Sequence, residues 1–228
     1  MFIDSISSEC LNGKKRELFF KNLEFVDYCF LTSSPKLFKT HKYLVIRNAI
    51  SFELANFAFN YFLMKRDATE WMHKNNYVSE FTTGLGTWKD EQIPNTFSWY
   101  GDTFMETLMM KVLPVMEKHT TLKLLPTYTY TRAYKKGDIL QRHKDRPSCQ
   151  ISTTLHLGGN EWPIYIDPTG GDNVPTGIRV DLKIGDMLVY SGCELEHWRE
   201  AFKGNVCVQT FLHYNDAQGR FGKENIFD

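Results

Sequence analysis

The chain has 228 residues, 42% of them hydrophobic, and its 27 lysines and arginines balance 27 aspartates and glutamates. That length and apolar content support a substantial core and exclude a small disulfide-stapled scaffold, while zero net charge gives no electrostatic case for nucleic acid or an anionic membrane. No stretch approaches the roughly twenty apolar residues of a membrane span, and the start MFIDSISSECLNGKK has no apolar run behind a basic end. The five cysteines, Cys10, Cys29, Cys149, Cys193 and Cys207, are odd in number and show no zinc spacing, so they read as reduced thiols. With no Asn-x-Ser/Thr sequon either, a cytoplasmic protein is expected.

In chain order, Leu44 to Ala49 predicts a short strand. Ser51 then reads as a helix N-cap, with Glu53 in the first turn and apolar residues at helical spacing through LANFAFNYFLMKR. Val78 to Trp99 carries Gly84, Gly86 and Pro94 and neither structural period, which predicts a long loop of the kind that covers a site. Asp102 caps a second expected helix running to about His119, with Phe104, Leu108, Val112 and Val115 on its apolar stripe and Pro114 as a kink or early stop. From Lys123 the texture changes to short β-branched or aromatic runs, TYTYTRAY, CQISTTLHL, IYID, GIRVDLKI, DMLVYSG and VCVQTFLHY, separated by turn residues. These predict a mainly β sandwich or barrel, so that 1–122 is a helix-rich support and 123–216 the β core of one domain covering 1–228.

Chemistry concentrates in the second half. Alternate residues of an extended chain point the same way, so His143 and Asp145 can face one ion across Lys144. A third donor 54 residues on, His197, suits a metal held between strands and not a helical HExxH site or a zinc-finger loop. Two imidazoles and one carboxylate, with other positions open, form the facial triad of non-haem Fe(II) chemistry. His156, inside ISTTLHL, and His213, inside QTFLHY, compete for the third place, although a histidine inside a strand is more often a packed, hydrogen-bonded residue. Gly158-Gly159 and Thr169-Gly170-Gly171 lack the Lys-Ser/Thr of a phosphate loop and read as turns. There is no Gly-x-Ser-x-Gly elbow, and Cys149 reads as a buried thiol rather than a nucleophile.

Tyr134, Gly137, the His143-Lys144-Asp145 triplet, Gly185-Asp186 ahead of an apolar strand, and His197 before a last strand together carry a resemblance over about residues 124–215. They resemble the iron and 2-oxoglutarate-dependent oxygenases, and within them the prolyl 4-hydroxylase-like branch. The resemblance implies a double-stranded β-helix, or jelly roll, supported by N-terminal helices. It also implies Fe(II) on His143, Asp145 and His197, with 2-oxoglutarate and O2 as cosubstrates and ascorbate as a reductant. Oxidative decarboxylation of 2-oxoglutarate to succinate and CO2 would then drive hydroxylation of an unactivated C–H, first of all in a prolyl residue of a peptide or protein.

One departure from the pattern concerns the cosubstrate. The family's Lys or Arg for the remote carboxylate, nine or ten residues past the distal histidine, is replaced by Val206 and Cys207. Arg199, two residues past His197 and on the same strand face, is the expected substitute, with Gln209 as a helper and Tyr134 as a further contact. Arg132 and Arg146 are other carboxylate partners to consider, but alternation should turn Arg146 away from the metal. Trp88, Trp99, Trp162 and Trp198 either line a substrate groove or build core. Two alternatives stand beside this reading: the same chemistry on a free amino acid, small metabolite or nucleobase, and a non-catalytic metal-binding β-sandwich.

Overall fold

The computed structural model describes residues 36–79, 81, 82, 84–171 and 177–222; Cys10 and Cys29 and the N-terminal stretch read above lie outside them, as do Glu80 and Thr83 of the 78–99 segment. Three helices, α1 (Lys36–His41), α2 (Phe52–Lys74) and α3 (Thr103–Thr120), lead into and flank the β structure. The strands are β1 (Tyr43–Ile46), β2 (Phe97–Tyr100), β3 (Leu124–Lys135), β4 (Leu140–His143), β5 (Ile151–Gly159), β6 (Ile164–Ile166), β7 (Ile178–Val180), β8 (Met187–Ser191), β9 (His197–Arg199) and β10 (Val206–Asp216). They form a six-stranded sheet, β1-β8-β5-β10-β3-β2, and a four-stranded one, β4-β9-β6-β7, with every pairing antiparallel. This is the expected jelly roll with supporting helices.

Strand alternation explains the layering. On β1 and β8, Leu44, Ile46, Met187 and Val189 join a core built with Ala55, Ala58 and Phe62 of α2 and Leu108 and Val112 of α3. The residues between them, Tyr43, Val45, Leu188 and Tyr190, face Ile164, Ile166 and Val180 of the smaller sheet. Both strands are therefore buried on both faces and read as continuous apolar runs, which is why the sequence shows them clearly.

The helix starts follow their caps. The Ser51 hydroxyl accepts from the Leu54 amide at 3.2 Å, and one Asp102 oxygen accepts from the Met105 amide at 3.1 Å while the other accepts from the Tyr61 hydroxyl at 2.7 Å. The apolar stripe of α3 differs from the expected one: Met105, Leu108, Met109, Val112 and Met116 are buried, and Phe104 and Val115 pack only at its edge. Nor does Pro114 stop the helix. The carbonyl it cannot reach belongs to Met110, which is 47% exposed on the solvent side, and the helix runs on to Thr120 before Thr121 ends it at φ +59°.

The 78–99 segment is irregular up to β2, which takes its last three residues into the sheet. Thr87 and Ser98 exchange backbone hydrogen bonds of 2.8 and 2.9 Å, pinning the segment to β2. Gly86, at φ +83°, has no room for a side chain, because a Cβ there would collide with the Phe97 ring. Asp102, just past β2, links α2 to the start of α3 through one buried carboxylate, so Asp102→Ala should lower stability by about 1–3 kcal/mol in urea unfolding, and Tyr61→Phe by less.

Candidate metal centre

Two of the shortest strands assemble the site. β4 and β9 pair antiparallel with His143 directly opposite His197, and the two ring centroids lie 4.3 Å apart. Just past β4, the Asp145 amide donates to the Gly192 carbonyl at 2.9 Å, which turns the carboxylate onto the same spot. Asp145 Oδ1 is then 3.7 Å from His143 Nε2 and 3.5 Å from His197 Nε2. Neither His156 nor His213 joins these three.

Hydrogen bonds fix the tautomers. His143 Nδ1 meets the Gln141 carbonyl at 2.7 Å and His197 Nδ1 the Leu195 carbonyl at 3.1 Å; a carbonyl only accepts, so both Nδ1 atoms carry the proton. Both Nε2 lone pairs consequently point inward. Burial and the facing His197 hold His143 below its ordinary pKa, so it is neutral near pH 7. Burial alone would raise the Asp145 carboxyl, but His197, His213 and the Ser152 hydroxyl outweigh it and keep it well below the usual carboxylate range. Two imidazole nitrogens and one carboxylate oxygen on a single side suit a ferrous ion with open positions. At present each Nε2 has a protein neighbour, the Tyr190 hydroxyl at 3.3 Å from His197 and the Gln92 amide nitrogen at 3.3 Å from His143.

Asp145, Cys149 and His213 also approach one another, within 4.8 Å. They make a poor metal site. Burial and the Asp145 charge push the Cys149 thiol up to about 12, so no thiolate forms near neutral pH, and its sulfur lies 3.0 Å from the Tyr128 hydroxyl. His213 Nδ1 is engaged 3.0 Å from Ser152 Oγ.

The donors open into a cavity of about 280 Å3 walled by tyrosines 100, 128, 130 and 134 and by Phe211. Arg132, on β3 and 1% exposed, ties the 78–99 segment to this wall by donating to Asp90 at 2.9 Å and to Gln92 Oε1 at 3.0 Å, while the Tyr130 hydroxyl also donates to Asp90. The segment thus reaches the metal donors through Gln92. Arg146 is not turned away as alternation suggested: its guanidinium lies 4.7 Å from the Tyr128 ring centroid at the edge of the cavity. Of the tryptophans, Trp99 and Trp162 are buried, Trp88 packs on Phe97 and Trp198 stacks on Tyr165; tyrosines, not tryptophans, wall the cavity.

Behind the donors lies a buried polar nest. Arg199 is fully buried, donates to the Trp162 carbonyl and, at 3.1 Å, to Thr154 Oγ1, and keeps its Nε without a partner. Tyr134 lines the cavity beside Trp162 with its buried hydroxyl likewise unpartnered. Arg199 and Gln209 both lie behind the cavity lining; Gln209 accepts from Thr154 at 3.1 Å and meets His156 Nδ1 at 3.0 Å. Unpartnered buried donors of this kind cost free energy unless a ligand serves them, and a carboxylate offers what Arg199 Nε and the Tyr134 hydroxyl lack. Ser152, Gln92 and Tyr190 escaped the sequence reading because only strand register and the path of the 78–99 segment bring them to the site.

No protein-family model and no curated protein matches the chain by sequence. By structure it is similar to a Pseudomonas putida prolyl-4-hydroxylase, at 15% identity over 80% of this chain and 98% of that one, with a TM-score of 0.55. It is similar also to HygX from Streptomyces hygroscopicus, crystallised with nickel and 2-oxoglutarate, at 11% identity over 80% and 86% of the two chains and a TM-score of 0.55. A third is EctD from S. alaskensis with bound Fe, at 14% identity over 82% and 76% and a TM-score of 0.54. The fold is that of the iron and 2-oxoglutarate-dependent oxygenases, as the sequence resemblance implied.

His156 supplies a pH test. Burial, and then the Arg199 charge, lower its pKa from 6.5 to about 4, so the folded state favours the neutral ring. That stabilisation is complete above pH 6.5 and is lost as pH falls toward 4. In urea unfolding across this window, His156→Gln should lose less stability than the wild type, by on the order of 2–3 kcal/mol.

Proposed function

We propose that this chain, acting as one oxygenase domain in the cytoplasm, is an Fe(II)- and 2-oxoglutarate-dependent dioxygenase that hydroxylates an unactivated C–H bond, with a prolyl residue of a peptide or protein as its substrate. The observation that carries the proposal is the convergence of His143 Nε2, His197 Nε2 and Asp145 Oδ1 at a tyrosine-walled cavity inside a jelly roll. These three residues would hold the iron, and the nest behind them would hold the remote carboxylate of 2-oxoglutarate through Arg199 and Tyr134. When bound, iron and cosubstrate together activate O2 and couple decarboxylation of 2-oxoglutarate to insertion of oxygen into C–H.

The protein's own part is positioning and exclusion of water. The Gln141 and Leu195 carbonyls hold the imidazoles as nitrogen donors, and Trp162 and Thr154 hold the Arg199 guanidinium in a dry site where a charge-assisted contact is strongest. Gln209, fixed on Thr154 and His156, then acts on the cosubstrate only through its neighbours.

A polymer substrate has its own support. A second concavity, of about 430 Å3, shares Asp90, Tyr100 and Tyr130 with the first and continues past Phe81, Gly84, Thr87 and Lys89 to Ser98 and Trp99 of β2. Such a groove gives a chain somewhere to lie on either side of the reacting residue, which a small metabolite does not need. The resemblance of the fold to a prolyl-4-hydroxylase points the same way.

Turnover of 2-oxoglutarate to succinate, with and without Fe(II), is the primary experiment. His143→Ala, Asp145→Ala and His197→Ala should each abolish iron binding and turnover with little change in circular dichroism, whereas His156→Ala should retain bound iron; the reverse pattern would move the distal donor to His156. Arg199→Ala should keep its iron but weaken 2-oxoglutarate by about 2–5 kcal/mol, with Lys restoring only part. Unchanged 2-oxoglutarate dependence would shift the anchor to Arg132 or Arg146. For the substrate, proline-containing peptides should outperform free proline and gain with length; equal rates would return the assignment to a small molecule.

A further inference from the structure

The two oxygens of Asp145 have different surroundings. Oδ1 faces both Nε2 atoms, whereas Oδ2 accepts from the Ser152 hydroxyl at 2.6 Å. Ser152 Oγ also lies 3.0 Å from the Cys149 carbonyl and 3.0 Å from His213 Nδ1. A hydroxyl has one hydrogen, and the shorter, charge-assisted contact to the carboxylate takes it. His213 Nδ1–H can then donate to the serine oxygen, giving a buried chain from His213 through Ser152 to Oδ2. Gly192 closes the other side: any Cβ there would collide with Asp145 Oδ2 and crowd Ser152 Oγ. All four residues are held from different elements, His213 by β10, Ser152 by β5, Gly192 by the turn after β8 and Asp145 by the segment after β4.

Taking His143, Asp145 and His197 as the metal ligands, we propose that Ser152, backed by His213, is a positioning residue that restricts Asp145 to binding the ion through Oδ1 alone. An octahedral ion with three protein donors has three positions left, all of them needed by a bidentate cosubstrate and O2. A second oxygen from Asp145 would take one. Ser152 thereby protects the capacity of the site, a role separate from supplying a ligand.

Mn(II) alone is a sufficient probe, because its effect on water proton relaxation scales with the number of exchanging waters it carries. At saturating Mn(II), relaxivity per bound ion should fall by about one third in Ser152→Ala, as Oδ2 replaces one of three waters. His213→Phe, which removes the donor that holds the serine, should move in the same direction, and His213→Asn, which keeps an N–H near the place of Nδ1, should return toward the wild-type value. Wild-type relaxivity per bound ion in both Ser152→Ala and His213→Phe would overturn the proposal while leaving the ligand assignment standing. Wild-type protein that binds no Mn(II), or His197→Ala protein that binds it as tightly as the wild type, would overturn both.

Discussion

Two strands of four and three residues carry both histidines of the site, with Asp145 two residues past the first of them. Neither β4 nor β9 is long enough to stand by itself, and of their two cross-strand pairs, Leu140–Arg199 and His143–His197, one is the pair of histidines. What holds them is their frame: β6 pairs with the far side of β9, and the Asp145–Gly192 backbone bond ties the end of β4 to the turn after β8. The donors therefore sit where the small sheet is stitched to the large one, and their geometry inherits the stiffness of a core packed on both sides of β8. A donor set on two free strands would instead wander by more than a metal tolerates.

Around that frame the protein accepts a considerable polar burden. Arg199, His156, Gln209, Thr154 and Tyr134 are all buried behind or beside the donors, and the charges among them are not neutralised by a carboxylate as Arg132 is by Asp90. Burial pulls the Arg199 pKa down and pushes that of Tyr134 up, the direction in which each group resists charge in a dry setting. A fold optimised for stability alone would fill this space with Leu and Val. Keeping it polar fits the role in holding a carboxylate proposed for Arg199 and Tyr134.

Local chemistry was the legible part of the sequence. Ser51 and Asp102 announced their helices because a cap is a contact three residues long, and β1 and β8 announced themselves because burial on two faces leaves a continuous apolar run. The His143–Asp145 pair was legible for the same reason, since two residues of spacing set a common face. What escaped was set by register and by chain path. Ser152 is one of several small polar residues in ISTTLHL, and only its pairing opposite Tyr190 decides that it meets Asp145. Gln92 belongs to an aperiodic segment, so no pattern could aim it at His143. Pro114 misled because its cost depends on whether water reaches the carbonyl one turn back, a matter of exposure that the pattern left open.

The order of strands in the large sheet bears on how this protein becomes active. Among the described residues β1 pairs only with β8, and Tyr43 waits for Tyr190, a partner 147 residues further along the chain. Closing so long a loop is entropically slow, and a nascent chain cannot complete the sheet until β8 and then β10, which joins β5 to β3, have been made. Until then the edge of β5 that β8 will cover is open, and an open edge invites pairing with another chain. Gly192 and His197 follow directly behind β8, so His143, Asp145 and His197 come together only after β8 has been made. A chain ending before β8 would accordingly hold only the β2–β3 pair of the large sheet and leave β1 and β5 open to pairing with other chains.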